Sequence, residues 1–272
     1  MTSATGPQVV VSAVSSWRQS FDDDLAMWAR LGVDHVGLSL RKCEEVGLAV
    51  AARRVADAGL RVGNVVECGW CALDDPATWD EQRSRLGAAA GVFDCPIVVT
   101  TGPAGRLSWD AAAGAFAGFV APLRDAGASL AVENTSPLRL DLSFVTTLRD
   151  TVDLAASARV GVCVEVNSCW MERDLAGTLR HAGSRLAHVQ LSDWKIGSLT
   201  TPDRCVPGDG DIPLARMLRA LLDAGYTGAF ELELVGPRIE AEGYEHAIGR
   251  ALARTDALLG EALAGGGHEP HD

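Results

Sequence analysis

Three carboxylates and one amide are the side chains whose type and spacing could do chemistry. They are Glu133 in "AVENT", Glu165 in "VGVCVEVN", Gln190 in "LAHVQLSD" and Glu233 in "AFELELVG". Each lies near the C-terminal end of a short β-branched run, and each alternates with apolar neighbours. Val162, Val164 and Val166 take one parity, leaving Cys163, Glu165 and Asn167 on the other. By the same rule His188, Gln190 and Ser192 share a face, as do Glu231 and Glu233. If those faces line a common interior, the carboxylates of Glu133, Glu165 and Glu233 repel at about 4 kcal/mol per pair at 4 Å and an effective dielectric of 20. A divalent cation is the simplest relief. Three carboxylates and an amide oxygen form a hard, all-oxygen donor set suited to Mn²⁺ or Mg²⁺ more than to Zn²⁺. Glu231, one layer deeper, reads instead as a buried carboxylate paired with an inward Arg or His.

Positioning these groups requires strands whose ends meet. The candidate strands start at Gln8, His35, Arg61, Pro96, Ser129, Arg159, Leu186 and Ala229. Ala/Leu/Arg-rich amphipathic stretches separate them: 22–31, 44–58, 79–91, 109–126, 142–156, 175–181 and 214–224, with a last helix over 244–263. Glycines in "LGVDH", "DAGLR", "DAGAS" and "DAGYTG" read as helix C-caps leading into the next strand. Eight strands, each followed by a helix, predict a single-domain α/β (β/α)8 TIM barrel over residues 1–264, with 265–272 a disordered tail. A doubly wound sheet would want a glycine-rich phosphate turn after its first strand, and "SAVSSWRQS" has no glycine. In a barrel the catalytic groups gather at the C-terminal ends of the strands, where the four residues above lie.

The 272 residues carry a formal net charge of −12 and are 47% hydrophobic, enough for a sizeable core. That charge, with no Lys/Arg cluster beyond the pairs Arg41-Lys42 and Arg53-Arg54, argues against a nucleic-acid partner and an anionic membrane surface. No run is long and apolar enough for a membrane span, and "MTSATGPQVVVSAV" lacks a secretory signal's basic start, so a cytoplasmic protein is expected. The 7 cysteines form no disulfide framework. Cys68 and Cys71 make a CxxC, but "ALDDP" follows where a redox motif would open a helix, so chance placement in a loop is preferred.

Over nearly its whole length, and most strongly from "LAVENTS" onward, the chain resembles the xylose-isomerase-like barrel family, sugar phosphate isomerases and epimerases with inosose dehydratase and apurinic-site endonuclease relatives. The resemblance implies a metal held by four ligands, whose positions fall on Glu133, Glu165, Gln190 and Glu233. Glu165 stands where the family has Asp and Gln190 where it has His. Ser168 replaces a substrate-contacting His. The endonuclease branch needs many more histidines than the 6 here. In "DRCVPGDGDIPL", Arg204 matches the family's Arg before a GxGxI loop. By the same resemblance, Glu133 and Glu233 are the catalytic pair that removes and returns a proton next to a carbonyl while the metal stabilises the enediolate. His188, Arg204, Trp170, Lys195, Asn134 and Trp70 are the candidate substrate contacts. Because Arg41, Lys195 and Arg204 are the few cations expected near the mouth, a neutral keto-sugar or polyol is preferred over a heavily phosphorylated one. A homo-oligomer is expected. Two other readings stay open: a dehydratase or lyase working through the same enolate on a keto-polyol or keto-glycoside, and a non-catalytic ligand-binding or partner subunit.

Overall fold

Alternating β-branched runs leave one face of each strand apolar for the helices and the other for a shared interior. A computed structural model describes residues 7–67 and 72–264. In chain order its strands are β1 (Val9–Ser12), β2 (His35–Ser39), β3 (Arg61–Glu67), β4 (Ile97–Val99), β5 (Leu130–Glu133), β6 (Gly161–Glu165), β7 (Leu186–Leu191), β8 (Asp193–Trp194), β9 (Arg204–Cys205) and β10 (Phe230–Leu232). Eight of them close into a parallel barrel in the order β1-β10-β7-β6-β5-β4-β3-β2, while β8 and β9 form a separate antiparallel hairpin. The fold is the expected (β/α)8 barrel. The CxxC of Cys68 and Cys71, Trp70 and the tail 265–272 lie outside the described residues.

Strand parity sorts two cores. Val162, Val164, Phe230, Leu232 and Leu234 face outward and pack with helix residues such as Met27, Trp28 and Phe116. Val14, Val66, Val98, Ala131 and Cys163 fill the barrel interior. Helix starts follow local chemistry. Ser20 caps Phe21–Leu31 through a reciprocal capping box with Asp23, and the acidic first turn Asp22–Asp24 meets the positive end of the helix dipole. Asp24 also anchors the loop after β1. Lys42 Nζ is fully buried and donates to Asp24 Oδ2 at 2.6 Å and to the carbonyls of Ala13 and Ser16, each at 2.9 Å. That cluster holds the segment that carries Trp17 and Arg18 onto the barrel mouth.

Three elements differ from expectation. The helix expected over 44–58 breaks at Gly47, whose φ of 87° separates Leu40–Val46 from Leu48–Asp57. The helix expected from Leu142 begins at Leu148, where the Thr147 side chain accepts from Asp150 N. The strand expected to run through Asn167 stops at Glu165. There the Glu165 carboxylate accepts from the Asn167 N–H at 3.0 Å and turns the chain into the short helix Val166–Cys169, so Asn167 is not an inward strand residue. No helix among the described residues is long and apolar enough to cross a membrane.

Candidate active site

The floor of the site is a buried carboxylate held through one of its two oxygens. Glu231 is fully buried; its Oε2 lies 2.9 Å from His188 Nε2, 3.0 Å from Asn64 Nδ2 and 3.2 Å from Gln190 Nε2. Burial pushes the Glu231 carboxyl upward, but hydrogen bonds from His188, Ser12 and Asn64 and the His188 charge outweigh it and hold the group below the ordinary carboxylate range. The carboxylate reaches across to β2 at Gly37, where a Cβ would collide with Glu231 Oε1 and Asn64 Oδ1. His188 is therefore committed to Glu231 beneath the mouth.

Above this floor stand Glu133, Glu165 and Glu233, with residue exposures of 9%, 0% and 5%. Arg204 lies among them. Its Nη2 is 2.7 Å from Glu165 Oε2, and its Nη1 is 3.3 Å from Glu233 Oε1 and donates to the Glu233 carbonyl at 2.8 Å. Burial raises the Glu133 carboxyl well above its usual range, and the charges of Glu233 and Glu165 push it further. Burial likewise pushes Glu233 up to about 8, with Arg204 opposing and Glu165 adding to the rise. Burial also raises Glu165, against the pull of Arg204. Burial is the largest cause of the rise at both Glu133 and Glu233, and the Arg204 charge opposes it at each.

Arg204 arrives on a loop built around one buried aspartate. The carboxylate of Asp193, 1% exposed, accepts backbone N–H groups from Trp194, Gly208, Gly210 and Ile212 at 2.8–3.0 Å. At Gly210 a Cβ would run into that carboxylate, which accounts for the glycine in "GDGDI". The Arg204 N–H donates to the Val235 carbonyl at 2.9 Å, tying β9 to the segment after β10. Asp193 was not among the expected site residues. Its signal in the sequence was an acidic residue at a strand end followed by a glycine-spaced loop.

A cavity of about 530 Å³ opens over these groups, lined by Trp17, Arg18, Thr100, Glu133, Arg139, Arg204, Glu233 and Glu240 among others. Thr100, just past β4, was also not anticipated; its Oγ1 is buried without a hydrogen-bond partner. The other expected contacts lie elsewhere. Asn134 is buried, and both ends of its amide bond the Glu165 backbone, accepting from N at 2.9 Å and donating to O at 3.0 Å. Trp170 packs half-buried against the outer core. Lys195 is exposed beside Asp211, at 3.4 Å. Neither Lys195 nor Arg41 lines the cavity; its cations are Arg18, Arg139 and Arg204. Each of these has an acidic partner: Arg18 with Glu240 at 3.0 Å, Arg139 with Asp141 at 2.9 Å, and Arg204 with Glu165.

These residues do not fit the divalent ion expected at the mouth. Gln190 turns down into the barrel, where its Nε2 donates to Glu231 and its Oε1 accepts from Cys163 Sγ at 3.4 Å, so no lone amide oxygen points at Glu165 or Glu233. The space between those two carboxylates is spanned by the Arg204 guanidinium. Among the described residues no group of three or more His, Cys, Asp or Glu side chains could hold a metal ion. Of the ligand set expected on Glu133, Glu165, Gln190 and Glu233, the Gln190 amide is engaged in the layer below. Register alone did not reveal it, because Gln190 sits level with both Glu165 and Glu231 and its side chain took the deeper partner.

Comparison with known proteins gives the family of the barrel. The family model described as xylose isomerase-like TIM barrel matches residues 21–254. The chain belongs to that family. Among curated xylose isomerase-like relatives, an inosose isomerase from Halalkalibacterium halodurans is 41% identical over 63 residues, 23% of this chain and 22% of the relative. A D-psicose 3-epimerase from Enterocloster bolteae is 33% identical over 85 residues, 31% of this chain and 26% of the relative. The matched segments thus span about a quarter of either relative's length. The solved structure of a protein from Sinorhizobium meliloti 1021 superposes with a TM-score of 0.80 at 24% identity, covering 92% of this chain and 98% of its own.

Proposed function

We propose that this chain is a keto-sugar isomerase or epimerase that transfers a proton next to the carbonyl, with Glu233 as base and Glu133 as acid. The observation that carries the reading is a pair of buried carboxylates, Glu133 and Glu233, on the wall of a sugar-sized cavity, with the Arg204 guanidinium fixed against Glu233. Membership of the xylose isomerase-like family, and local similarity to an inosose isomerase and a D-psicose 3-epimerase, support the same chemistry.

In this reading the Glu233 carboxylate takes the proton α to the carbonyl. The C–H electron pair becomes the carbon–carbon double bond, and the carbonyl π pair moves onto oxygen. Arg204 supplies positive charge beside that oxygen. Glu133 then gives its proton to carbon: for epimerisation to the same carbon on the opposite face, as the oxyanion re-forms the carbonyl; for isomerisation to the former carbonyl carbon, as the neighbouring hydroxyl passes its proton to the former carbonyl oxygen and itself becomes the new carbonyl. It ends as a carboxylate with Glu233 protonated, and exchange with solvent resets the pair. Thr100 Oγ1 is suited to a substrate hydroxyl, and Trp17 offers an apolar surface to a sugar face. The balanced charge of the lining favours a neutral keto-sugar.

Incubation with a panel of pentuloses and hexuloses in D₂O, followed by proton NMR, tests this. Deuterium should enter the carbon next to the carbonyl and a new epimer or aldose should grow in. A panel giving neither exchange nor isomer overturns the reading.

A further inference from the structure

We infer that Arg204 is this chain's own resident cation, holding the seat a divalent ion would need between Glu165 and Glu233, so that the site binds no such ion. The inference deepens the proposed function by replacing the source of positive charge, and it rests on geometry independent of any substrate.

Four observations converge. The guanidinium touches both carboxylates, at 2.7 Å and 3.3 Å, with its side chain only 14% exposed. It therefore occupies the bridging position in a largely buried setting, where a charge-assisted pair is strong and an added like charge is repelled. The fourth donor is spent, because the Gln190 amide is engaged at both ends by Glu231 and Cys163 in the layer below. The backbone that delivers Arg204 is pinned: its N–H is bonded to the Val235 carbonyl, and the loop after it is fastened to Asp193 by three further N–H groups. Gly236 closes in from the other side, where a Cβ would press on Asp203 Cα and the Pro202 carbonyl at 2.8 Å. To bind between the carboxylates an ion would have to expel a guanidinium held from its side chain and its backbone. A guanidinium also suits the chemistry, since it stays charged at any working pH and can stabilise a developing enediolate oxygen as a metal would.

Calorimetric titration of chelator-treated protein with Mn²⁺ tests the inference without a substrate. Wild type should show no stoichiometric binding. An Arg204→Met, Gln190→His double variant, which vacates the seat and supplies an imidazole, should gain one Mn²⁺ per chain, at least about a hundredfold tighter than any residual wild-type binding. Arg204→Lys, which keeps the charge, should remain without metal and controls for damage to the fold. Stoichiometric Mn²⁺ binding by wild type that is lost in Glu165→Gln overturns the inference. So does a double variant that is folded by circular dichroism yet binds no Mn²⁺, since Arg204 would then not be what excludes the ion.

Discussion

Gly37 leaves open the space into which Glu231 extends from the far side of the β1 strand. A methyl group there would collide with Glu231 Oε1, and Glu231 cannot retreat because His188, Asn64 and Gln190 hold its other oxygen. Gly37→Ala should destabilise the barrel by about 1–3 kcal/mol, the usual cost of overpacking. Urea denaturation checks this. A variant as stable as wild type would mean that the floor is looser than its contacts imply.

Removing either mouth carboxylate should separate activity from stability. Glu133→Gln and Glu233→Gln should each lower turnover by at least about a hundredfold, the scale of losing a general acid or base. Glu133→Gln should at the same time raise the melting temperature above neutral pH by about 2–4 °C for each kcal/mol relieved, because a neutral amide replaces a buried group resisting ionisation. Near-wild-type turnover in either variant would remove that carboxylate from the mechanism.

The direction of the Glu233 shift sets two pH dependences. Its carboxyl rises from an ordinary 4.5 to about 8, so the base form appears only as pH climbs through about 8, and kcat/KM should rise over that window. Stability runs the other way. The folded state keeps a proton that the unfolded chain loses near 4.5, so this contribution is complete below about 4.5 and is lost as pH rises through about 8. Glu233→Gln should flatten the stability profile over that range. A wild-type rate that falls as pH climbs through the same window would reverse the assignment of base and acid.

Asp193 is the support for Arg204. Asp193→Ala would leave the buried Ile212 N–H without a partner, at about 1–3 kcal/mol, and release the N–H groups of Gly208 and Gly210 to water. Native-state hydrogen exchange should show those amides losing protection, and turnover should fall with them as Arg204 loses its placement. Continued protection of all three would show that the loop holds itself.

Lys42 gives a structural counterpart far from the chemistry. Lys42→Met would leave Asp24 buried with only Ser16 to satisfy it, and should cost about 3–5 kcal/mol, the range for breaking a buried pair. Thermal denaturation measures it. A loss below about 1 kcal/mol would mean that the pair carries no net weight.

The barrel was legible because its strands repeat one local rule, β-branched residues alternating in parity and ending in a helix cap. The inward parity of Glu133, Glu165, Gln190, Glu231 and Glu233 followed from that rule. What did not follow was vertical direction. Parity says that Gln190 points inside, but not whether its flexible side chain rises to Glu165 or sinks to Glu231. The Arg204 placement was equally hidden, since it depends on a hairpin closed by Asp193 and not on strand periodicity. The engagement of Asn134 was hidden for a related reason: an amide next to Glu133 in sequence is taken up by the backbone of the neighbouring strand at Glu165.

The Asp193 knot has a consequence for how such barrels diversify. The positive charge of the mouth is delivered by a segment inserted between β7 and β10, knotted on Asp193 and moored to the wall at Glu233 and Val235, whereas the carboxylates belong to the wall itself. Charge and scaffold thus come from different stretches of chain, so exchanging that segment for one without an arginine would offer the same three wall carboxylates to a different cation without moving a strand.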